Sequence, residues 1–315
     1  MNILEIDGLG LECQAAGRIW PWIGPAFRGM VAKTFKDSVC RHSVPERESH
    51  WIACRGCPYM ADCSYGQTLE PDPPSGAAVR RGQADAARPL VLAPAFPLPE
   101  EVRAGTVIPL RLVLIGVAAE RVNQILEVVD LAGRSKGLHN CFDGPGRGGH
   151  GPERIPLRLG RTTALAQRSC QLTSHHFAVD SAVCVPEVRV ALTSPLAISV
   201  QNEISLSPRF GDLLAASLRI VSHLFSLYDQ PLEVDFDRLK QLAECVTPVS
   251  SGFRPYSQPI TSNRARQKHT FRGVVGTSSY RDVPRSLLPW LEWGGRLHVG
   301  ERRIAGAGGW QVSFA

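Results

Sequence analysis

The chain is predicted to be an α+β protein made of two successive units that share one element order. Three observations carry this. Apolar periodicity switches repeatedly between two and about 3.6 residues, so strands and helices alternate along the chain. Strands and helices follow the same order in each half. Each half closes on a glycine-rich stretch followed by a strand. Two units of βαββαβ order make a tandem ferredoxin-like (RRM-like) pair. We place the first unit over residues 1–180, carrying a cysteine-bearing segment (40–63) as an insertion and a flexible loop (71–89). The second occupies residues 181–315.

In order, residues 3–15 read as extended, and Trp20-Pro-Trp-Ile-Gly-Pro25 as a rigid turn. Pro25 suits the first turn of a helix. Phe27, Val31, Phe35 and Val39 recur every four residues, with Met30 beside them, giving a helix over about 25–41. Arg28, Lys33, Lys36 and Arg41 fall largely off its apolar stripe, and a solvated face and a functional cation cluster are equally open readings. Val107–Val117 is a strand, a helix follows over about 119–131, and Ile155–Leu159 is a short strand after the glycines at 144–151. In the second half, Val188–Ile198 is extended and Phe210–Tyr228 helical, with a further helix over about 235–246. Phe271–Gly276 is a strand, Ser286–Trp293 a short helix, and a final strand closes the unit.

Composition limits the function classes. Apolar content of 43% with 20% charge belongs to a packed protein and not to a disordered chain. The net charge of +6 is unevenly placed. Residues 251–315 hold ten Lys/Arg against three acids, so the excess sits in the C-terminal fifth and points to a polyanionic partner. No run of eighteen apolar residues predicts a membrane span. The first residues are acidic where a secretion signal is basic, and nine cysteines then fit a reducing cytoplasm. Gly-x4-Gly-Lys-Ser/Thr is absent, so no ATP loop of that kind is expected.

Two motifs carry chemistry. Cys54-x2-Cys57 places two thiolates within reach of one ion, and Cys40 and Cys63 complete four ligands. A structural zinc, an iron–sulfur cluster and free thiols all remain open. No βαβ pattern surrounds the pair, which argues against redox chemistry. The second motif is Gly294–Trp310, where six glycines stand beside Arg296, Arg302 and Arg303. Bare peptide N–H groups next to guanidinium groups make a site for phosphate oxygens, with a glycine-turned hairpin as the alternative.

His298-Val-Gly300, five residues, then Gly306-Ala-Gly308 resembles the glycine-rich loop of the RAMP superfamily of CRISPR proteins, with His298 in place of the first glycine. With Phe271-Arg-Gly-Val-Val-Gly276, Tyr280 and Leu287–Leu291, residues 254–314 are similar to CRISPR endoribonucleases that process precursor crRNA. A fainter likeness covers residues 18–70. The resemblance implies metal-independent cleavage of repeat RNA needing no cofactor, by attack of the 2′-hydroxyl on its own phosphate. It implies CRISPR repeat RNA and other Cas effector-complex subunits as partners, and no membrane. It implies His42 as catalytic histidine, with Lys36 and Lys33 beside it and His50 as substitute. Arg264, Arg266, Lys268 and Arg272, with Arg296, His298, Gly300, Arg302, Arg303, Gly306 and Gly308, would hold RNA; Tyr280 and Trp310 are candidates for stacking on bases, with packing in the core as the alternative. A non-catalytic crRNA-binding subunit is the competing reading. A zinc-stabilised DNA-binding protein is a third, disfavoured because the charge lies far from the cysteines.

Overall fold

The computed structural model describes residues 1–41, 54–72, 86–141, 153–177, 183–262 and 267–314. The first half contains β1 (Asn2–Cys13), α1 (Gly24–Val39), α2 (Ser64–Leu69), β2 (Leu90–Pro94), β3 (Val107–Ile115), α3 (Val122–Ser135) and β4 (Leu157–Gln171). The second contains β5 (Cys184–Leu192), α4 (Phe210–Tyr228), α5 (Phe236–Glu244), β6 (Thr247–Ser262), β7 (Gln267–Pro284), α6 (Leu288–Leu297) and β8 (Trp310–Phe314). One sheet runs β2-β3-β1-β4 and the other β6-β7-β5-β8. Every pairing is antiparallel. The two sheets therefore share a topology, the ferredoxin-like one read from the element order.

Both second strands, β2 and β6, escape the sequence reading. Pro94 ends β2, and Pro248, Pro255 and Pro259 interrupt β6. Proline lacks the N–H that a ladder needs, so it argues against a strand except at a sheet edge. Both strands are edges. The remaining differences concern length. β4 has 15 residues where a short strand was expected, and the helix over 119–131 is a turn at Val117–Glu120 followed by α3. α6 continues through Gly294 and Gly295 to Leu297. These two glycines are packing positions, since a Cβ on Gly294 would sit 2.0 Å from Ser217 Oγ.

The first sheet is apolar on both faces because the halves share it. Leu4, Ile6, Leu92, Leu112 and Leu114 face α1 and α3. Their neighbours Ile3, Val91, Val113 and Ile115 join the core of α4 and α6. Among the described residues, α4 is the one helix long and apolar enough to cross a membrane. Its Leu213, Leu218, Val221, Leu224 and Phe225 are instead buried in that shared core. Lys36 does not lie on a solvated face. It is 2% exposed, with Nζ 3.8 Å from the Glu70 carboxylate and over the Tyr65 ring. α2 lies across this part of α1 and covers it.

One ion cluster ties the sheet to the second half. Glu5 of β1 is 1% exposed and takes Arg111 of β3 and Arg296 of α6 on its two oxygens. Burial alone would raise its pKa, but the hydrogen bonds and charges of Arg296 and Arg111 outweigh burial and hold it below 4.5. A depressed acid contributes stability above its unfolded pKa and loses it as pH falls through the folded value. Glu5→Ala leaves Arg296 without its carboxylate, while Arg111 keeps Asp7 at 3.3 Å, and is expected to cost about 1–3 kcal/mol in denaturant unfolding. The variant should also lack the part of the wild-type stability lost below pH 4.5.

Candidate nucleic-acid interface

The glycine-rich segment leaves α6 at His298, whose φ of 59° ends the helix. The chain then folds back on itself. Val299 N–H donates to Gly308 O (3.0 Å), Glu301 N–H to Ala197 O (2.9 Å) and Gly308 N–H to Pro195 O (2.9 Å). Gly309 N–H donates to Ser194 Oγ at 2.9 Å. These amides are satisfied by the protein itself, which corrects the expectation that they face phosphate. Gly308 has φ of 76°, and a Cβ there would stand 1.8 Å from Val299 O. A Cβ on Gly306 would meet the Ala93 backbone at 2.6 Å. The glycines admit the protein's own chain, so Gly300, Gly306 and Gly308 act as packing residues.

The charged residues of this segment divide sharply. Arg303 is buried, and its guanidinium donates to Arg88 O and Leu90 O at 3.1 Å, pinning the loop to the start of β2. Burial, with the Arg88 charge, lowers its pKa to about 10, and it stays charged at neutral pH. His298 is 3% exposed. Burial, then the charges of Arg111 and Arg303, brings its pKa down to about 3, so it is neutral and donates from Nδ1 to Ala307 O at 3.0 Å. Arg296 is taken by Glu5 and lies 3.7 Å from the Trp293 ring centre. These three do not present free charge to a ligand. Arg302 does: it is exposed and meets His269 of β7.

Arg28 lies near enough to Arg302 to feel its charge, and other cations stand on α1 and β7. Arg272 is exposed on β7. Arg28, in the first turn of α1, is half-buried, and burial lowers its pKa; it feels the charges of Tyr65, Arg88, Glu70 and Arg302. Its Nε is buried with no hydrogen-bond partner among the described residues. The sequence reading left Arg28 open between a solvated face and a functional cluster and gave Arg88 no role. Their only signal was position, one at a helix start and one before a strand. Lys33 is half-buried on α1. Lys268 falls on β7, while His42, His50, Arg264 and Arg266 lie outside the described residues.

Beside this region the first sheet, α6 and β8 enclose a cleft of about 760 Å³. Arg111, Arg168 and Arg296 line it, with Asp7 and Glu292. Trp310 and Tyr280 are each 3% exposed and pack in the core, so neither is free to stack on a base. Trp20, Tyr59 and Phe314 are the exposed aromatic rings among the described residues.

The cysteines are not brought together. Among the described residues no three His, Cys, Asp or Glu side chains form a group able to hold a metal ion. Cys63 Sγ caps α2 by accepting from Gly66 N–H at 3.4 Å. Cys54 is buried, its thiol pushed up to about 12 by burial and then by Glu70, and its amide bonds that carboxylate. Cys40, Cys54, Cys57 and Cys63 thus form no such group among the described residues.

Two family models match the chain. The AF_1859 N-terminal domain covers residues 4–173, and the CRISPR-associated endoribonuclease Cas6 domain covers residues 190–310. No curated protein matches. Among solved structures, the chain is similar to a Cas6 (TTHA0078) product complex, with TM-score 0.52 and 16% identity over 99% of this chain and 100% of that one. A second is the Cas6 (TTHB231) product complex of Thermus thermophilus, with TM-score 0.51 and 14% identity over 99% and 100%. At such identities the likeness establishes the fold.

The two neighbouring arginines separate scaffold from interface. Arg303→Ala strands the carbonyls of Arg88 and Leu90 and should lower unfolding free energy by about 1–3 kcal/mol. Arg302→Ala should stay within about 0.5 kcal/mol. Thermal unfolding of the two variants side by side measures both.

Proposed function

The chain belongs to the Cas6 family of CRISPR-associated endoribonucleases, and we propose that it cuts repeat RNA by a metal-independent transesterification. The 2′-oxygen forms a bond to the adjacent phosphorus while the bond from phosphorus to the 5′-oxygen breaks. The 2′-hydroxyl proton passes to a base and the leaving oxygen receives one from an acid. The products are a 2′,3′-cyclic phosphate and a 5′-hydroxyl. Histidine suits proton transfer near neutrality because its unperturbed pKa is about 6.5.

His42 is the histidine we assign to this step. It follows α1 by three residues, and Lys33 stands on the same helix. Lys36 drops out as a substrate contact because it is buried against Glu70. His298 drops out as a proton carrier because it is buried and neutral. The observation that carries the RNA-binding half is the group of Arg28, Arg302 and His269 around the loop, with Arg272 exposed on the same strand as His269. This group lies near the start of α1, and the helix end that leads to His42 is about 16 Å from Arg28. RNA is held at one end of the helix and cut near the other. Repeat RNA and crRNA are the ligands in this reading, with other Cas subunits receiving the product.

Repeat RNA incubated with the protein in excess EDTA should yield one product ending in a cyclic phosphate. A deoxyribose at the cut site should abolish it. His42→Ala should slow cleavage by about 10²–10⁴-fold with little change in RNA affinity. Binding without a cut in the wild type would instead favour a crRNA-holding subunit. Arg272→Ala combined with Arg302→Ala should weaken binding and flatten its salt dependence by about one unit for each phosphate no longer held.

A further inference from the structure

The second sheet has one buried and one open face. Val188, Val190 and Tyr280 face α4 and α6. Residues alternate sides along a strand and paired residues share a side. Arg189 of β5, opposite Ser279 and Ser313, therefore points away from the core, as do Arg281, opposite Glu187, and Arg254, opposite Val275. All three arginines are exposed, and among the described residues none has a carboxylate within ion-pair distance. Between them stand short side chains, Thr277 and Ser279 among them, which leave the face flat.

We propose that this open face is a track for single-stranded RNA, holding its phosphates independently of sequence. The proposal rests on the reading of the chain as an RNA-processing protein and adds a surface separate from the loop and from α1. Charge selects the ligand, since three unpaired guanidinium groups stand against one carboxylate, Glu187. Geometry selects one strand over a duplex. Arg189 and Arg281 are diagonal neighbours about 7–8 Å apart. Arg254 lies about 20 Å further along the sheet, six residues from Arg281 in register. The three stand on β5, β7 and β6 along one oblique path across the sheet, which a single flexible strand can follow. Tyr256 beyond Arg254 is packed against Phe96, so no exposed ring breaks the path to read bases.

The probe is oligouridylate of about twelve nucleotides, with affinity followed by anisotropy at several salt concentrations. The Arg189→Ser, Arg281→Ser double variant should bind about tenfold more weakly, and its salt slope should fall by about 1.4, or 0.7 per phosphate held. Glu187→Lys should bind more tightly with a slope steeper by about 0.7. This second variant changes binding in the opposite direction, which loss of folding cannot imitate. Unchanged binding in both variants overturns the proposal and leaves the face to a protein partner. Cleavage of repeat RNA is measured in parallel and should persist in the double variant. A wild type that fails to cut the repeat, yet binds oligouridylate through these residues, would refute the proposed catalysis and keep the track.

Discussion

The placement of one half on the other depends on a carboxylate that water does not reach. Glu5 would be costly to bury alone, and it is tolerated because Arg111 comes from its own sheet and Arg296 from the other half. Arg296 is set by α6, whose Gly294 and Gly295 let it press against Ser217 of α4 and the backbone of Trp310. The ion cluster, the shared core around α4 and the glycine loop thus constrain one another. Arg303 adds the last tie by holding the loop to β2. The cleft beside Glu5 is accordingly balanced in charge, and the free positive charge lies elsewhere, around Arg302 and on the open face of the second sheet.

Much of the fold was legible from periodicity. The four-residue recurrence of Phe27, Val31 and Phe35 gave α1, and Leu213 to Phe225 gave α4. Repetition of element order gave two like units, although β2 and β6 stayed hidden behind their prolines. The strand signal fails where an edge excuses a residue that a central strand cannot carry.

The interface was less legible, because glycine and arginine each serve two purposes. A glycine that admits a ligand and one that admits a neighbouring carbonyl look identical in sequence. Gly306 and Gly308 are of the second kind. Adjacent Arg302 and Arg303 differ only in where the turn aims them, one into the protein and one out of it. The buried Lys36 was misplaced for a similar reason: its cover, α2, arrives from about thirty residues on. The exposed path on β5, β6 and β7 needed the strand register, which β6 concealed.

The long β6–β7 hairpin has a consequence for how the protein is made. β7 pairs with β5 only through residues 277–284, and the rest of the hairpin overhangs the sheet. The overhang closes on the first half, where Phe271 lies 4.7 Å from Trp22 and Gln258 donates to Trp22 O at 2.8 Å. Val91, Val113 and Ile115 likewise find cover only in the second half. On the ribosome, the first sheet is complete at Gln171 while these side chains still face water. Roughly 140 further residues of this sequence follow Gln171. At about 5–20 residues per second, adding them takes roughly 7–28 seconds, and the apolar face stays open until the covering helices are made. The nascent chain is thus most vulnerable to aggregation after its first sheet has formed, a hazard that ends when α4 and α6 cover that face.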